Sequence, residues 1–192
     1  MIQADLTAEF LFDTTKAGAA GLSSILQAGF KVNVPTGLSI MDLLCKQFDI
    51  PQDYVEERIR TVFLDGKPVD DFSTAIVGND AALALSAAMP GLVGATFRRG
   101  GYLATFRGTI THHQAADAVK PSPGVVSIKL FNILALEIGS YFIIHGVIVD
   151  SPTAQWFFSD PPDSFRKECK GVRVNGQPIR PEQLRQKIAL VS

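Results

Sequence analysis

Few residues in this chain have the type and spacing that chemistry requires, and each such group lacks one necessary element. Asp70-Asp71 is an adjacent acidic pair of the kind that serves as paired acid and base or as metal ligands. No third ligand stands near it, and two acids between apolar runs close a turn or cap a helix far more often. His112-His113 is the one adjacent imidazole pair. Neighbours on a strand point to opposite faces and no Cys or acid stands at ligand spacing, so exposed loop histidines are expected there. His145 lies in an apolar run with no nucleophile or acid beside it, which predicts a buried, hydrogen-bonded His. The two cysteines, Cys45 and Cys169, form neither a disulfide framework nor a metal-ligand pattern. Cys45 falls within a helical pattern as a small buried hydrophobe. There is no Gly-rich phosphate loop, nucleophile elbow or dinucleotide fingerprint. No catalytic residue, metal or cofactor is therefore expected, and an enzyme would have to assemble its site from scattered residues.

What remains is binding. Arg98 and Arg99 stand together before Gly100-Gly101, and Trp156 opens an aromatic run, Trp156-Phe157-Phe158, that reads as core filling or as a contact patch. From Ser164 to Lys187 seven bases, among them Arg166, Lys167, Lys170 and Arg173, face only Glu168 and Glu182, a local charge of +5 in a chain whose net charge is −1. That near-neutral total argues against nucleic acid as an obligatory partner of the whole chain, because phosphate binding is driven by clustered Lys and Arg. Weak anion or nucleic-acid binding through the basic stretch stays as a further reading. A protein partner or self-association is the primary expectation.

The elements that must position these residues begin with a strand over Ala8–Asp13, then a Gly/Ala/Ser-rich stretch from Thr14 to Gly29 that reads either as a loop or as a short helix over Leu22, Ile25 and Leu26. A second strand over Phe30–Val34 is expected to stop at Pro35, which lacks an amide donor. Ser39 and Asp42 have capping-box spacing, and Ile40, Leu43, Leu44 and Phe48 recur at helical intervals, so one amphipathic helix runs to about Ile50, before Pro51. Gln52–Ile59 suits a further helical turn with Glu56-Glu57-Arg58 as a solvated face. Thr61–Leu64 followed by Asp65-Gly66 predicts a hairpin, with Pro68 placing the return segment at an edge. Ala81–Ala88 reads as a buried strand.

The order strand, strand, helix from GLSIMDLL, strand with TVFLDGKPV, then VGNDAALAL resembles the ubiquitin-like β-grasp fold. Within it the pattern is similar to the sulfur-carrier proteins of thiamine and molybdopterin synthesis. The resemblance covers roughly the first half and implies a β-grasp unit over residues 1–92. Carrier chemistry uses a C-terminal Gly-Gly, whereas this chain ends Ala189-Leu190-Val191-Ser192 and has its only Gly-Gly at Gly100-Gly101. Carrier function, or that of a processed precursor, thus requires a cut after Gly101. A hairpin at Gly100-Gly101, with Arg99 opposite Tyr102, Phe97 opposite Ala104 and Ala95 opposite Phe106, accounts for the same residues without proteolysis.

The remainder, 93–192, reads as a β-rich extension with a short basic helix from Pro181 to about Ile188, and it packs either with the first unit or apart from it. Thr111–Gly124 suits a surface connection. Val125–Val149 predicts two strands around a Gly139-Ser140 turn, apolar on both faces and so buried between layers or against another subunit. Asn132, Glu137 and His145 within that run argue against a membrane span. Val172–Ile179 repeats the form of Val62–Val69 at a spacing of 110, through shared turn chemistry or through a duplicated β-grasp half. The start MIQADLTAEF lacks a basic-then-apolar signal pattern, so a reducing cytoplasm is expected. The expected class is α+β, non-catalytic and partner-binding.

Overall fold

The structure, a computed structural model, describes residues 7–13, 16–102 and 121–179. It is a mixed fold of strands and short helices. The strands are β1 (Thr7–Asp13), β2 (Phe30–Thr36), β3 (Leu38–Ser39), β4 (Thr61–Leu64), β5 (Lys67–Pro68), β6 (Ile76–Val77), β7 (Ala82–Ser86), β8 (Ser122–Phe131), β9 (Val147–Asp150), β10 (Gly171–Val174) and β11 (Gln177–Ile179). The helices are α1 (Lys16–Ala20), α2 (Ser23–Ala28), α3 (Ile40–Asp42) continuing as a π-helical turn over Leu43–Gln47, α4 (Gln52–Arg58), α5 (Gly91–Phe97), α6 (Leu134–Glu137), α7 (Gly139–Ile143), α8 (Ser151–Ser159) and α9 (Asp163–Glu168). No helix among the described residues is long and apolar enough to cross a membrane. The chain divides into two compact units, 33–134 and 1–32 with 135–192, rather than at position 92. The cause is long-range pairing: β9 and β10 return to flank β1 on its two sides.

In the unit 33–134 the sheet order is β2–β8–β7–β4–β5, with β2 contributing its end. β7 and β8 run parallel, Leu83 beside Ile128 and Leu85 beside Leu130. β4 is antiparallel to both β7 and β5. Thr36, at the end of β2, donates its hydroxyl to the Ser122 carbonyl at the start of β8, 3.0 Å away. One face of this sheet carries Val62, Leu64, Leu83, Leu85, Ile128 and Leu130, all buried. The helical stripe Ile40, Leu43, Leu44 and Phe48 is fully buried as well. The helix starts where its sequence says: the Ser39 hydroxyl accepts the Asp42 amide at 3.1 Å, and the Ile40 and Met41 amides donate to the Ala75 and Phe72 carbonyls. It stops at Asp49, whose φ is 56°, as the Ile50 amide closes on the Leu44 carbonyl at 3.1 Å. β2 runs through Pro35 to Thr36 instead of ending before it; a strand tolerates a proline whose missing amide points away from its partner.

The other unit orders its strands β11–β10–β1–β9–β2, here with the beginning of β2, and the recorded pairs are antiparallel. Phe10 and Phe12 point to one face, where their rings meet those of Phe158 and Phe165 at 5.4–6.3 Å. Phe30 packs edge-on against Phe142 at 5.5 Å. The Gly-rich stretch that reads as loop or helix forms α1 and α2, burying Leu22, Ile25 and Leu26.

Two expected hairpins are absent. Residues around Gly139-Ser140 are helical, in α6 and α7, not two strands and a turn. Leu134, Ile138 and Phe142 are buried at intervals of four, as are Ala135, Gly139 and Ile143, so the true period is helical. Gly139 serves close approach: a Cβ there would stand 2.4 Å from Leu26 Cδ1. The doubly apolar ribbon, and the subunit interface argued from it, therefore disappear. Likewise Ala95 and Phe97 belong to α5, not to a strand paired across Gly100-Gly101; their expected partners Ala104 and Phe106 lie outside the described residues. His112-His113 and the basic segment from Arg180 onward also lie outside them.

Candidate functional site

The unit 33–134 has a second sheet face, away from its helix. Alternation along β4, β7 and β8 places Thr61, Phe63, Ala82, Ala84, Ser86, Ser127, Lys129 and Phe131 there. Exposure is graded across it. Ala82, Lys129 and Phe131 are exposed and Ala84 and Ser127 half-buried, whereas Ser86 and Thr61 are buried. The open part of the face, along β8 and the start of β7, is a shallow floor of small side chains beside a cation, with Lys129 Nζ 5.4 Å from the centroid of the Phe131 ring.

The closed end lies under residues 89–101. This segment leaves β7 through Ala88, whose carbonyl accepts the Asn132 side-chain amide at 2.7 Å and the Ser86 hydroxyl at 3.1 Å. It forms α5 and sets the Phe97 ring edge-on to Phe63 at 5.2 Å. Arg99 then anchors it. Its amide donates to the Arg60 carbonyl at 2.8 Å, its guanidinium donates to the Glu56 carbonyl in the last turn of α4, and its Cζ sits 4.2 Å above the Phe72 ring.

The sequence-derived candidates fall in different places. Arg98 is exposed beside the anchored Arg99. Trp156, Arg166, Lys167, Lys170 and Arg173 belong to the other unit. There Trp156 projects from α8 at 63% exposure while Phe157 and Phe158 fill the core. Arg166 is held by Asp160 at 2.6 Å and by the Pro161 carbonyl. Lys167 and Lys170 are exposed. Arg173 alternates with buried Val172, which pairs with Phe12 on the helix-covered face, so Arg173 stands on the opposite face from Phe165 of α9. Among the described residues of that unit, Arg173 therefore stands on the sheet face away from α9, the helix that carries Arg166 and Lys167. The floor residues Ala82, Ala84, Ser127 and Lys129 were missed as a site, although the alternation Val126-Ser127-Ile128-Lys129-Leu130-Phe131 shows one apolar and one mixed side.

The acid–base inventory is equally scattered. Asp71 accepts the Ser73 amide at 2.8 Å, as a turn residue does. His145 is exposed rather than buried, its Nδ1 2.7 Å from the Tyr141 carbonyl at the end of α7, because the segment that would have enclosed it is helical. Cys45 is half-buried with its sulfur 3.6 Å from Met41 Sδ; burial, then Asp42 and Glu56, push its thiol pKa up, which disfavours the thiolate a nucleophile needs. No three His, Cys, Asp or Glu residues come together as metal ligands among the described residues. An open groove of about 720 Å³ between β2 and β8 is lined by Pro35, Pro121, Pro123, Asn33 and Ser122, and none of its described lining residues ionises. Comparisons with protein-family models, curated proteins and solved structures return no match for this chain.

Proposed function

We propose that the unit 33–134 is a β-grasp module that works by binding, not by catalysis, and that its partner is a protein segment lying on the open sheet face. The β-grasp reading is supported by a helix packed on one face of a mixed sheet, with two parallel strands at the centre and antiparallel β4 beside them. β8, which comes last in the unit, fills the position of the first strand, so the module is threaded in permuted order. The observation that carries the functional reading is the floor of exposed Ala82 and half-buried Ala84 and Ser127 beside exposed Lys129 and Phe131. Small side chains let an apolar segment approach the sheet closely, and Lys129 complements a carboxylate at its edge.

A photo-crosslinking residue at Ala84 should trap a discrete protein adduct in native cells, and Lys129→Glu should abolish it. The same residue at Glu57, exposed on α4, should not give that adduct. Identical adducts from both positions, or an Ala84 adduct indifferent to Lys129→Glu, would sink the proposal. The sulfur-carrier alternative makes a separate demand. β8 follows Gly101 in the chain and pairs with β7, so a chain cut after Gly101 must keep its central strand without a covalent link. An intact mass ending at Gly101 in native cells would replace the binding reading with the carrier one.

A further inference from the structure

We infer that residues 89–101 form a hinged cover over the Thr61 end of the open face, held shut by Arg99. Its purpose rests on reading that face as a binding surface; its opening does not. The segment is attached where a cover would be. It starts beside Ser86, the partner of Thr61, puts Phe97 on Phe63 and ends with the Arg99 amide on the Arg60 carbonyl, so it crosses the face at Thr61. The burial gradient follows from this: along β7 the outward residues pass from exposed Ala82 through half-buried Ala84 to buried Ser86.

Three features distinguish a cover from a permanent layer of core. The segment has a glycine in the left-handed region near each end, Gly91 at φ 79° and Gly100 at φ 63°, where backbone rotation meets no Cβ. Its first turn is close-packed, with Gly94 so near the Met89 carbonyl that a Cβ would stand 2.1 Å away, so Gly91 lies inside the packed piece and free rotation is left to Gly100. Its outer side is apolar, with Leu92 at 75% exposure, and it is fixed mainly by side chains, Phe97 and Arg99, rather than by strand pairing. Beneath it the Thr61 hydroxyl, 1% exposed, has no hydrogen-bond partner among the described residues. A closed cover therefore leaves a buried polar group unsatisfied, and opening returns it to water or to a partner's polar atom.

The test is thiol labelling of the full chain with Cys45→Ser and Cys169→Ala, using iodoacetamide. One cysteine is introduced at a time, either Thr61→Cys under the cover or Val62→Cys on the helix-covered face of the same strand. Thr61→Cys should react about tenfold or more faster than Val62→Cys, because cover opening needs less free energy than opening the core. Arg99→Ala should accelerate the Thr61→Cys reaction a further tenfold or so, the effect of losing a charged hydrogen bond, and leave the Val62→Cys rate unchanged. Phe97→Ala should act in the same direction through the other anchor. Equal rates at the two positions, or parallel acceleration at both by either variant, would mean that the segment opens only with the whole unit, and the cover would be overturned. This labelling needs no partner and the Ala84 crosslink needs no movement, so each can fail without the other.

Discussion

The helix–hairpin from Asp53 to Val69 and the one from Asp163 to Ile179, in different units, match position for position at a spacing of 110. Val55 and Phe165 are the buried helix residues, Ile59 and Cys169 the buried residues after the helix, and Val62 and Val172 the buried strand residues. Both turns use two residues at positive φ, Asp65-Gly66 at 51° and 76° and Asn175-Gly176 at 49° and 77°, and both return strands carry Pro as the second residue. Further upstream, Ser39 caps its helix through the Asp42 amide and Asp150 caps α8 through the Thr153 amide. Phe48 and Phe158 are both buried, again 110 apart. What differs is the setting. β4 docks on β7, whose other neighbour β8 is parallel, while β10 docks on β1, whose other neighbour β9 is antiparallel. The outward residue opposite the proline differs too: Phe63, packed under Phe97, in one copy and exposed Arg173 in the other. Local turn and capping chemistry therefore specifies the repeated piece, and long-range pairing decides what each copy becomes.

Exchanging the two outward residues is the strongest way to break this comparison. Phe63→Arg removes a half-buried ring and its contact with Phe97, and should lower the unfolding free energy by about 2–3 kcal/mol in urea denaturation. Arg173→Phe changes an exposed strand position and should stay within about 0.5 kcal/mol of the parent. Comparable losses from both would show that the two faces are equivalent after all, and would remove the special role given to residues 89–101.

The turns give a finer, symmetric test. Gly66 and Gly176 both sit at φ near 76° with open space where a Cβ would go, so Ala at either position suffers backbone strain and no collision. Each of Gly66→Ala and Gly176→Ala should cost about 1–2 kcal/mol. A cost at one turn alone would mean that the copies share a sequence form but not a conformation.

These contrasts also mark how much was legible in the sequence. The Ser39 cap, the buried stripe of Ile40, Leu43, Leu44 and Phe48, and both Gly-containing hairpin turns are local patterns, and each stands as read. The stretch 134–143 was misassigned because a nearly continuous apolar run satisfies a period of two as easily as a period of four, and a Gly needed for contact with Leu26 looks like a turn Gly. The same reasoning misplaced Ala95 and Phe97. The pairing of β1 with β9 and β10 was illegible because no local residue encodes a partner some 140 to 160 positions away. The open face went unnoticed for a related reason: Ala82, Ala84 and Lys129 acquire meaning only once β8 is known to lie beside β7.

The smallest expected effect concerns the two equivalent-looking cysteines, which the repeat treats differently: Cys169 follows α9 as a buried plug, while Cys45 lies in the π-helical turn, half-buried. Burial raises the Cys45 pKa, and Asp42 and Glu56 add to it. A thiol loses a proton to become charged, so a folded pKa above the unfolded one means that the unfolded chain ionises first as pH rises. The contribution of Cys45 is then fully present below the unfolded thiol pKa and is lost as pH climbs through that value toward the raised folded one. Urea midpoints should therefore fall slightly between neutral pH and the alkaline thiol range, and Cys45→Ser should remove that part of the slope while leaving the midpoint near neutrality almost unchanged. A slope identical in the parent and in Cys45→Ser would show that the thiol is no harder to ionise in the fold than outside it. The half-exposed π-turn would then be as open to thiolate chemistry as any surface cysteine.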